Sequence, residues 1–217
     1  MTPMLPVWSE WLLAGFSLVI LSYAAWTSPW RALGENRIVQ HLFFGSAIVV
    51  SLFWSMKAGI LDGLSFHVLG LTAVTLMMGW RLALVAAALV QLLLLVFGRI
   101  EWPMLGYHYL IECALPIGFT FGFYLLVYRR LVHNPFVYIL VAGFLNAGFT
   151  HAFSDLLQGA VWLVFDIHEL KDIWHNYWRY LPLMMFPEGV INGMFISGMV
   201  AFHTRWLSTF DEESYFN

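Results

Sequence analysis

The sequence predicts an all-α integral membrane protein, a bundle of about seven transmembrane helices in one domain. Of its 217 residues, 61% are hydrophobic and only 11% are charged, whereas soluble proteins carry about 25% charged residues. Apolar runs of about 17–25 residues, the length that crosses a bilayer, recur along the whole chain. We therefore expect residues 1–217 to form a single polytopic membrane domain in contact with lipid.

The apolar runs predict where the helices lie. The expected spans are residues 8–27, 38–56, 62–79, 81–98, 105–131, 135–165 and 177–206. Within the third and fourth spans, the apolar runs Leu64–Met78 and Leu82–Phe97 are separated only by Gly79, Trp80 and Arg81, so the alternative is one long broken segment. We expect the first span to be retained, because MTPMLPVWSEW lacks the positive region of a cleaved signal peptide.

A polar stretch precedes the last span. Residues 166–179, DIHELKDIWHNYWR, form the most polar part of the chain and are rich in tryptophan and histidine. Such a composition is typical of an amphipathic segment at the level of the lipid headgroups. The helix over 135–165 is therefore expected to end in this interfacial stretch.

The distribution of Lys and Arg predicts the orientation. With the N-terminus outside, the inner loops hold Arg31, Arg37, Arg81, Arg129, Arg130 and Arg205, and the outer loops hold Lys57, Arg99, Lys171 and Arg179. Cytoplasmic loops carry the excess of such residues. We expect the N-terminus outside and the C-terminus inside, in the cytoplasmic (inner) membrane of a prokaryote.

Several classes of protein are disfavoured by what the sequence lacks. The net charge of -3 gives no basic patch, so nucleic acid is not an expected partner. The single cysteine, Cys113, excludes an internal disulfide. There is no phosphate-binding glycine pattern and no GxSxG, HExxH or CxxC motif. If the protein takes part in ATP-driven transport, another subunit must therefore hydrolyse the ATP.

Titratable side chains interrupt the apolar helices and are the candidate functional residues. They are His67, His108, Glu112, His151, Asp155 and Glu188. Burying a charge at the bilayer centre costs roughly 2.5–3.5 kcal/mol on insertion scales, so such residues are functional candidates by default. A spacing of four puts His108 with Glu112, His151 with Asp155, and Glu188 with Asn192 on one helix face.

Imidazole and carboxylate groups on several helices are typical of a divalent transition metal site. These nitrogen and oxygen donors suit Zn, Ni, Co, Mn or Fe(II) better than Cu(I). For His108 and Glu112 the alternative is a local hydrogen bond that stiffens the bundle. For His151 and Asp155 the carboxylate either orients the imidazole or is itself a metal ligand. Asp62 is interpreted as a helix cap or a solvated acid. The other histidines are interpreted as structural or solvated.

Residues 63–98, GLSFHVLGLTAVTLMMGWRLALVAAALVQLLLLVFG, resemble the substrate-binding membrane components of energy-coupling factor transporters, in the cobalt and nickel branch. Residues 106–131 and 188–202 look like weaker continuations. The resemblance implies a seven-helix fold, a membrane coupling subunit and cytoplasmic ATPases as partners, and a metal-ligand role for His67.

The N-terminus departs from that family. Its cobalt and nickel members begin Met-His and bind the metal through the N-terminal amine, the adjacent backbone and that histidine. This chain begins Met1-Thr2-Pro3, and proline has no amide hydrogen. The internal histidines and carboxylates would then replace the missing donors, or the substrate differs.

Three functions fit the sequence. The first is a substrate-capture subunit of a divalent metal uptake transporter, without its own ATPase and not itself an enzyme. The second is a membrane enzyme with a two-metal carboxylate and histidine centre, as in diiron bundles. The third is a structural or assembly subunit that has the fold and no metal.

Overall fold

The computed structural model describes residues 5–56, 58–61 and 64–216, which form a helical bundle with one short hairpin. The elements are α1 (Val7–Thr27), α2 (Trp30–Glu35), α3 (Arg37–Ser55), β1 (Ala58–Leu61), β2 (Leu64–Phe66), α4 (Leu71–Val96), α5 (Trp102–Arg130), α6 (Pro135–Val164), α7 (Leu170–Asn176), α8 (Leu181–Phe202) and α9 (Glu212–Phe216). β1 and β2 pair antiparallel. The predicted all-α membrane bundle is confirmed, apart from this hairpin.

Six helical segments in the described ranges are long and apolar enough to cross a membrane. They are α1, α3, α4, α5, α6 and Leu170–Phe202, which includes both α7 and α8. The predicted bounds of α1, α3, α5 and α6 agree with the structure to within a few residues. The predicted count of seven spans is not confirmed, because residues 62–79 do not form a complete helix.

The helix predicted over residues 62–79 begins only at Leu71. β2 occupies Leu64–Phe66, and residues 67–70 are not helical. Gly70 adopts φ 66°, a left-handed conformation that glycine reaches without a steric penalty. A short apolar run does not distinguish a buried strand from a helix by periodicity, which is why the sequence placed the helix start too early. His67 therefore lies before the helix and not on it.

Gly79 interrupts α4. Its φ of 74° and ψ of 163° are not helical, and they divide α4 into Leu71–Met78 and Trp80–Val96. Every residue of Leu71–Met78, called here the buried half-helix, is buried. At 1.5 Å per residue it is about 12 Å long, too short to cross a bilayer by itself. This geometry agrees with the alternative of one long broken segment.

The segment after α8 satisfies the carbonyl groups at the end of the buried half-helix. The Ser208 N–H donates to the Met77 carbonyl at 2.8 Å, and Thr209 Oγ1 donates to the Leu76 carbonyl at 2.8 Å. The Tyr124 hydroxyl on α5 donates to the Thr209 carbonyl at 2.8 Å. Unsatisfied backbone groups are costly in a membrane, so these contacts explain how the break at Gly79 is tolerated.

Large apolar side chains cover the outside of the bundle. Trp26 is 87% exposed and Phe202 is 81% exposed, as expected for surfaces that face lipid. α7 lies within the predicted interfacial stretch and is amphipathic, because Ile173 is fully buried while Lys171 and Trp174 are exposed.

Replacing Gly106 by Ala should loosen the contact between α1 and α5. A Cβ atom added at Gly106 would lie 2.6 Å from the backbone N and Cα of Ala14, so the helices must separate. We expect a loss of about 1–3 kcal/mol of stability, the usual cost of overpacking, measured as a lower unfolding temperature in detergent. Gly118→Ala is the control, since a Cβ there meets nothing within 4 Å. Equal unfolding temperatures for the two variants would contradict this account.

Candidate metal centre

His67 lies in the non-helical stretch between β2 and α4, called here with β2 the His67 segment (residues 64–70). Its side chain is buried, and the Trp54 ring on α3 packs edge-on against the imidazole with centroids 4.7 Å apart. Trp54 Nε1 also donates to the Leu69 carbonyl at 3.1 Å. Helix α3 therefore holds both the imidazole and the backbone that follows it.

Glu188 on α8 contacts the same segment through its carboxylate. The Leu69 N–H donates to Oε2 and the Gly70 N–H donates to Oε1, both at 2.8 Å. Two successive N–H groups that converge on one anion form a backbone nest. Here the nest directly precedes the buried half-helix, and the N-terminal end of a helix attracts negative charge. The left-handed φ of Gly70 gives the backbone the turn that such a nest requires.

Asn192, one turn after Glu188, completes this attachment. Its Oδ1 accepts from the Ala73 N–H at 3.0 Å, and its Nδ2 donates to Glu188 Oε1 at 2.8 Å. The pair predicted from its spacing of four therefore lies in contact. Glu188 and Asn192 are 2% and 1% exposed, so these bonds form away from water, where they are electrostatically stronger.

His151 on α6 lies between two carboxylates. Its Nε2 is 3.2 Å from Asp155 Oδ2, and its Nδ1 is 3.7 Å from Glu188 Oε2. The Tyr177 hydroxyl donates to the other Asp155 oxygen at 2.9 Å. All four side chains are buried. The structure thus brings together three of the predicted residues, and the imidazole links α6 to α8.

His108 and Glu112 form the other predicted pair. His108 Nδ1 lies 2.9 Å from Glu112 Oε1, and the Glu112 carboxylate is buried. Residues His108–Ala114 form a π-helical stretch of α5, and such widened turns are frequent at functional sites. In this pair, as in the contacts of His151 with Asp155 and Glu188, a histidine ring nitrogen faces a buried carboxylate.

The sequence did not point to a cluster of buried threonine hydroxyls, called here the threonine layer. Thr120 on α5 shares hydrogen bonds with Thr72 at 3.1 Å and with Thr150 at 2.8 Å, and Asn146 Nδ2 donates to the Thr120 carbonyl. Threonine usually bonds its own helix, so nothing in the sequence distinguished these residues. Tyr177 was also missed, although its place near the start of the last predicted span was a usable signal.

Five of the predicted donors lie in two groups of contacting side chains. His151, Asp155 and Glu188 form the first group, His108 and Glu112 form the second, and His67 lies on the His67 segment against the Trp54 ring. Among the residues that the structure describes, no three His, Cys, Asp or Glu side chains are arranged to hold a metal ion together. Met1-Thr2-Pro3, Lys57 and Asp62, which the sequence also singled out, lie outside the described residues.

Comparison with known proteins gives a family and a fold. Residues 2–206 match the family model CbiM, the cobalt uptake substrate-specific transmembrane region. A solved transition metal transporter is similar in fold, with a TM-score of 0.64, 14% identity and coverage of 93% of this chain and 90% of that chain. A truncated transition metal transporter gives a TM-score of 0.69 at 15% identity, covering 92% and 96%. No curated protein matches the chain in sequence.

Removing the Tyr177 hydroxyl should destabilise the protein. Tyr177→Phe keeps the ring that stacks on Phe66 at 4.7 Å but removes the donor to the Asp155 carboxylate. Leaving a buried acceptor unsatisfied costs about 1–3 kcal/mol, which thermal unfolding in detergent would measure. Tyr180→Phe is the control, because the Tyr180 hydroxyl only accepts from the exposed Arg179. A Tyr177 variant as stable as the control would show that this bond contributes nothing.

Proposed function

This chain belongs to the CbiM family of cobalt uptake substrate-specific transmembrane regions, and on that premise we propose that it is the substrate-capture subunit of an energy-coupling factor transporter. The match over residues 2–206 is the observation that carries the proposal. The family and the apolar helices make the chain an integral membrane component of cobalt or transition metal uptake. Capture of the ion would be its task, and the ion would be its substrate.

The proposed partners are a membrane coupling subunit and cytoplasmic ATPases. The sequence has no phosphate-binding glycine pattern, so the energy for release must come from other chains. A subunit that only captures the ion needs donors that bind it and a way to deliver it. The broken helix supports this role, because broken membrane helices commonly line substrate sites in transporters.

The proposed donors are the buried imidazole and carboxylate groups. His67 is the first candidate, since it lies on a non-helical segment that Trp54 holds in place. The other candidates are His108, Glu112, His151 and Asp155. Glu188, the remaining residue that the sequence suggested, contacts the backbone of the His67 segment with both carboxylate oxygens. Cobalt is the first candidate for the ion, and Ni, Zn, Mn and Fe(II) bind the same kinds of donor.

Charge also supports capture of a divalent cation. Glu112, Asp155 and Glu188 are all buried, and each carboxylate has a histidine ring nitrogen within 3.7 Å. A buried carboxylate is costly unless it is paired or coordinates a metal. A divalent ion bound by such groups would compensate negative charge inside the bundle.

Metal content and two histidine variants test the proposal. The purified chain should hold one exchangeable ion, measured by elemental analysis. His67→Ala and His108→Ala should each lower Co²⁺ affinity by at least about 10–100-fold. Loss of a residue that only hydrogen-bonds to a metal ligand already reaches that range. Isothermal titration with Co²⁺ is the measurement. His203→Ala is the control, since this exposed imidazole stacks on Trp206 at the far end of α8.

Other outcomes favour the other candidate functions. Two tightly bound ions with turnover would indicate the metal-dependent enzyme, and a chain without metal would indicate the structural subunit. Unchanged affinity in both histidine variants would remove His67 and His108 from the proposed donor set.

Contacts of the buried half-helix bear on the topology. Its last turn lies at Thr209, which Tyr124 of α5 also contacts. α5 begins at Trp102, roughly 30 Å of helix before Tyr124. Trp80–Val96 must therefore run back toward the start of α5, opposite to the half-helix. This supports a crossing made by the His67 segment together with the half-helix, and with it an N-terminus outside and a C-terminus inside the cytoplasmic membrane.

Labelling of single cysteines tests this orientation. In a chain with Cys113 replaced by serine, Lys171→Cys should react with an impermeant thiol reagent applied to intact cells, because α7 would face outside. Arg130→Cys should react only after the membrane is opened. The reverse pattern would overturn the proposed orientation.

A further inference from the structure

We propose that Glu188 and Asn192 are positioning residues that attach the His67 segment to helix α8 and so preset it for ion capture. The inference rests on the proposed function, because it assigns His67 to the metal site. It gives Glu188 a role that acts through the backbone, in place of the direct ligand role that its sequence position suggested.

The hydrogen bonds of Glu188 carry the inference. Both of its oxygens accept backbone N–H groups of the His67 segment, from Leu69 and Gly70, at 2.8 Å. The first of these amides is two residues from His67. A bidentate carboxylate fixes the direction of the backbone as well as its distance. The orientation of the imidazole therefore depends on a side chain of a helix more than a hundred residues away in sequence.

Asn192 extends the attachment into the buried half-helix. It accepts from the Ala73 N–H and donates to Glu188 Oε1, and it also donates to the Glu188 carbonyl at 2.8 Å. The amide thus holds the carboxylate in place while bonding the first turn of the half-helix. Rotation of the Glu188 carboxylate away from this position would break its hydrogen bonds to the His67 segment.

Close packing does not replace these polar contacts. A cavity of about 340 Å³ lies between the half-helix, α3 and α8, bordered by Gly70, Ala73 and Asn192. Beside this cavity, the polar contacts that join α8 to the start of the half-helix are those of Glu188 and Asn192. Removing them should free the segment locally and leave the rest of the bundle folded.

The far end of the half-helix is attached to the chain that follows α8. Ser208 and Thr209 bond the carbonyls of Met77 and Leu76. The half-helix is therefore joined at both ends to one continuous stretch that runs from Glu188 to Thr209. A displacement of that stretch would be transmitted to the His67 segment.

Hydrogen exchange in the full-length chain, reconstituted in nanodiscs without metal, tests the attachment directly. Glu188→Gln replaces one of the two accepting carboxylate oxygens by an NH₂ group, which cannot accept a backbone N–H. The amide hydrogens of peptides covering residues 64–76 should then exchange at least 10-fold faster. In Asn192→Ala the acceleration should centre on Ala73. Glu10→Gln makes the same chemical change on α1 and should leave these peptides unchanged. Gly106→Ala serves as the comparator for general destabilisation, because its effect lies between α1 and α5.

Co²⁺ affinity in the same samples separates positioning from the alternatives. We expect Glu188→Gln and Asn192→Ala to bind Co²⁺ at least 10-fold more weakly and Gly106→Ala to bind it normally. Weak binding in Glu188→Gln with unchanged exchange would mean that Glu188 is a direct ligand, and would overturn the inference. Unchanged exchange in both variants would overturn it as well.

The remaining outcomes are also decisive. If Glu188→Gln does not fold, Asn192→Ala decides alone, since it removes a single backbone bond from the half-helix. If exchange accelerates as expected but the wild-type chain binds no Co²⁺, the attachment is supported and the proposed metal function fails.

Discussion

The hydrogen bonds between the Glu188 carboxylate and the amides of Leu69 and Gly70 are the interaction on which the geometry of the candidate site depends. A membrane interior supplies no water to unpaired backbone groups, so partners within the protein must satisfy the first amides of a helix that begins inside the bundle. Glu188 and Asn192 do this at one end of the buried half-helix. Ser208 and Thr209 do it for carbonyls at the other end. The non-helical segment that carries His67 exists because of these contacts.

Buried charge is the second constraint. His151 connects Asp155 to Glu188, so the carboxylate that holds the His67 segment belongs to the same network that fixes Tyr177 and α6. A change in the position of His151 or Asp155 would therefore alter the contacts of Glu188, which bonds the His67 segment. In a metal-uptake subunit such a network would couple ion occupancy to the position of the last helix, since α8 and the chain after it hold both ends of the half-helix.

The residues differ in how far their sequence positions revealed their roles. The spacing of four brought His108 to Glu112 and Glu188 to Asn192, as helix geometry requires. The same reasoning treated Glu188 as a metal donor, because a carboxylate in an apolar run has no visible partner in the sequence. Its partners are backbone amides, which every residue has, and no pattern of residue types points to them. The threonine layer was missed for a related reason, since a hydroxyl facing another helix looks the same in sequence as one bonded to its own.

The sequence by itself determined the membrane class, most helix bounds and the set of buried titratable residues, because hydropathy and the cost of burying charge act on each segment separately. Only the tertiary structure decided that residues 64–70 are not helical, that Gly79 divides α4, and which carboxylate contacts which partner. These features depend on contacts between segments far apart in the chain. Glu188 and Leu69 come together because α8 packs beside the half-helix, and local periodicity carries no information about that packing.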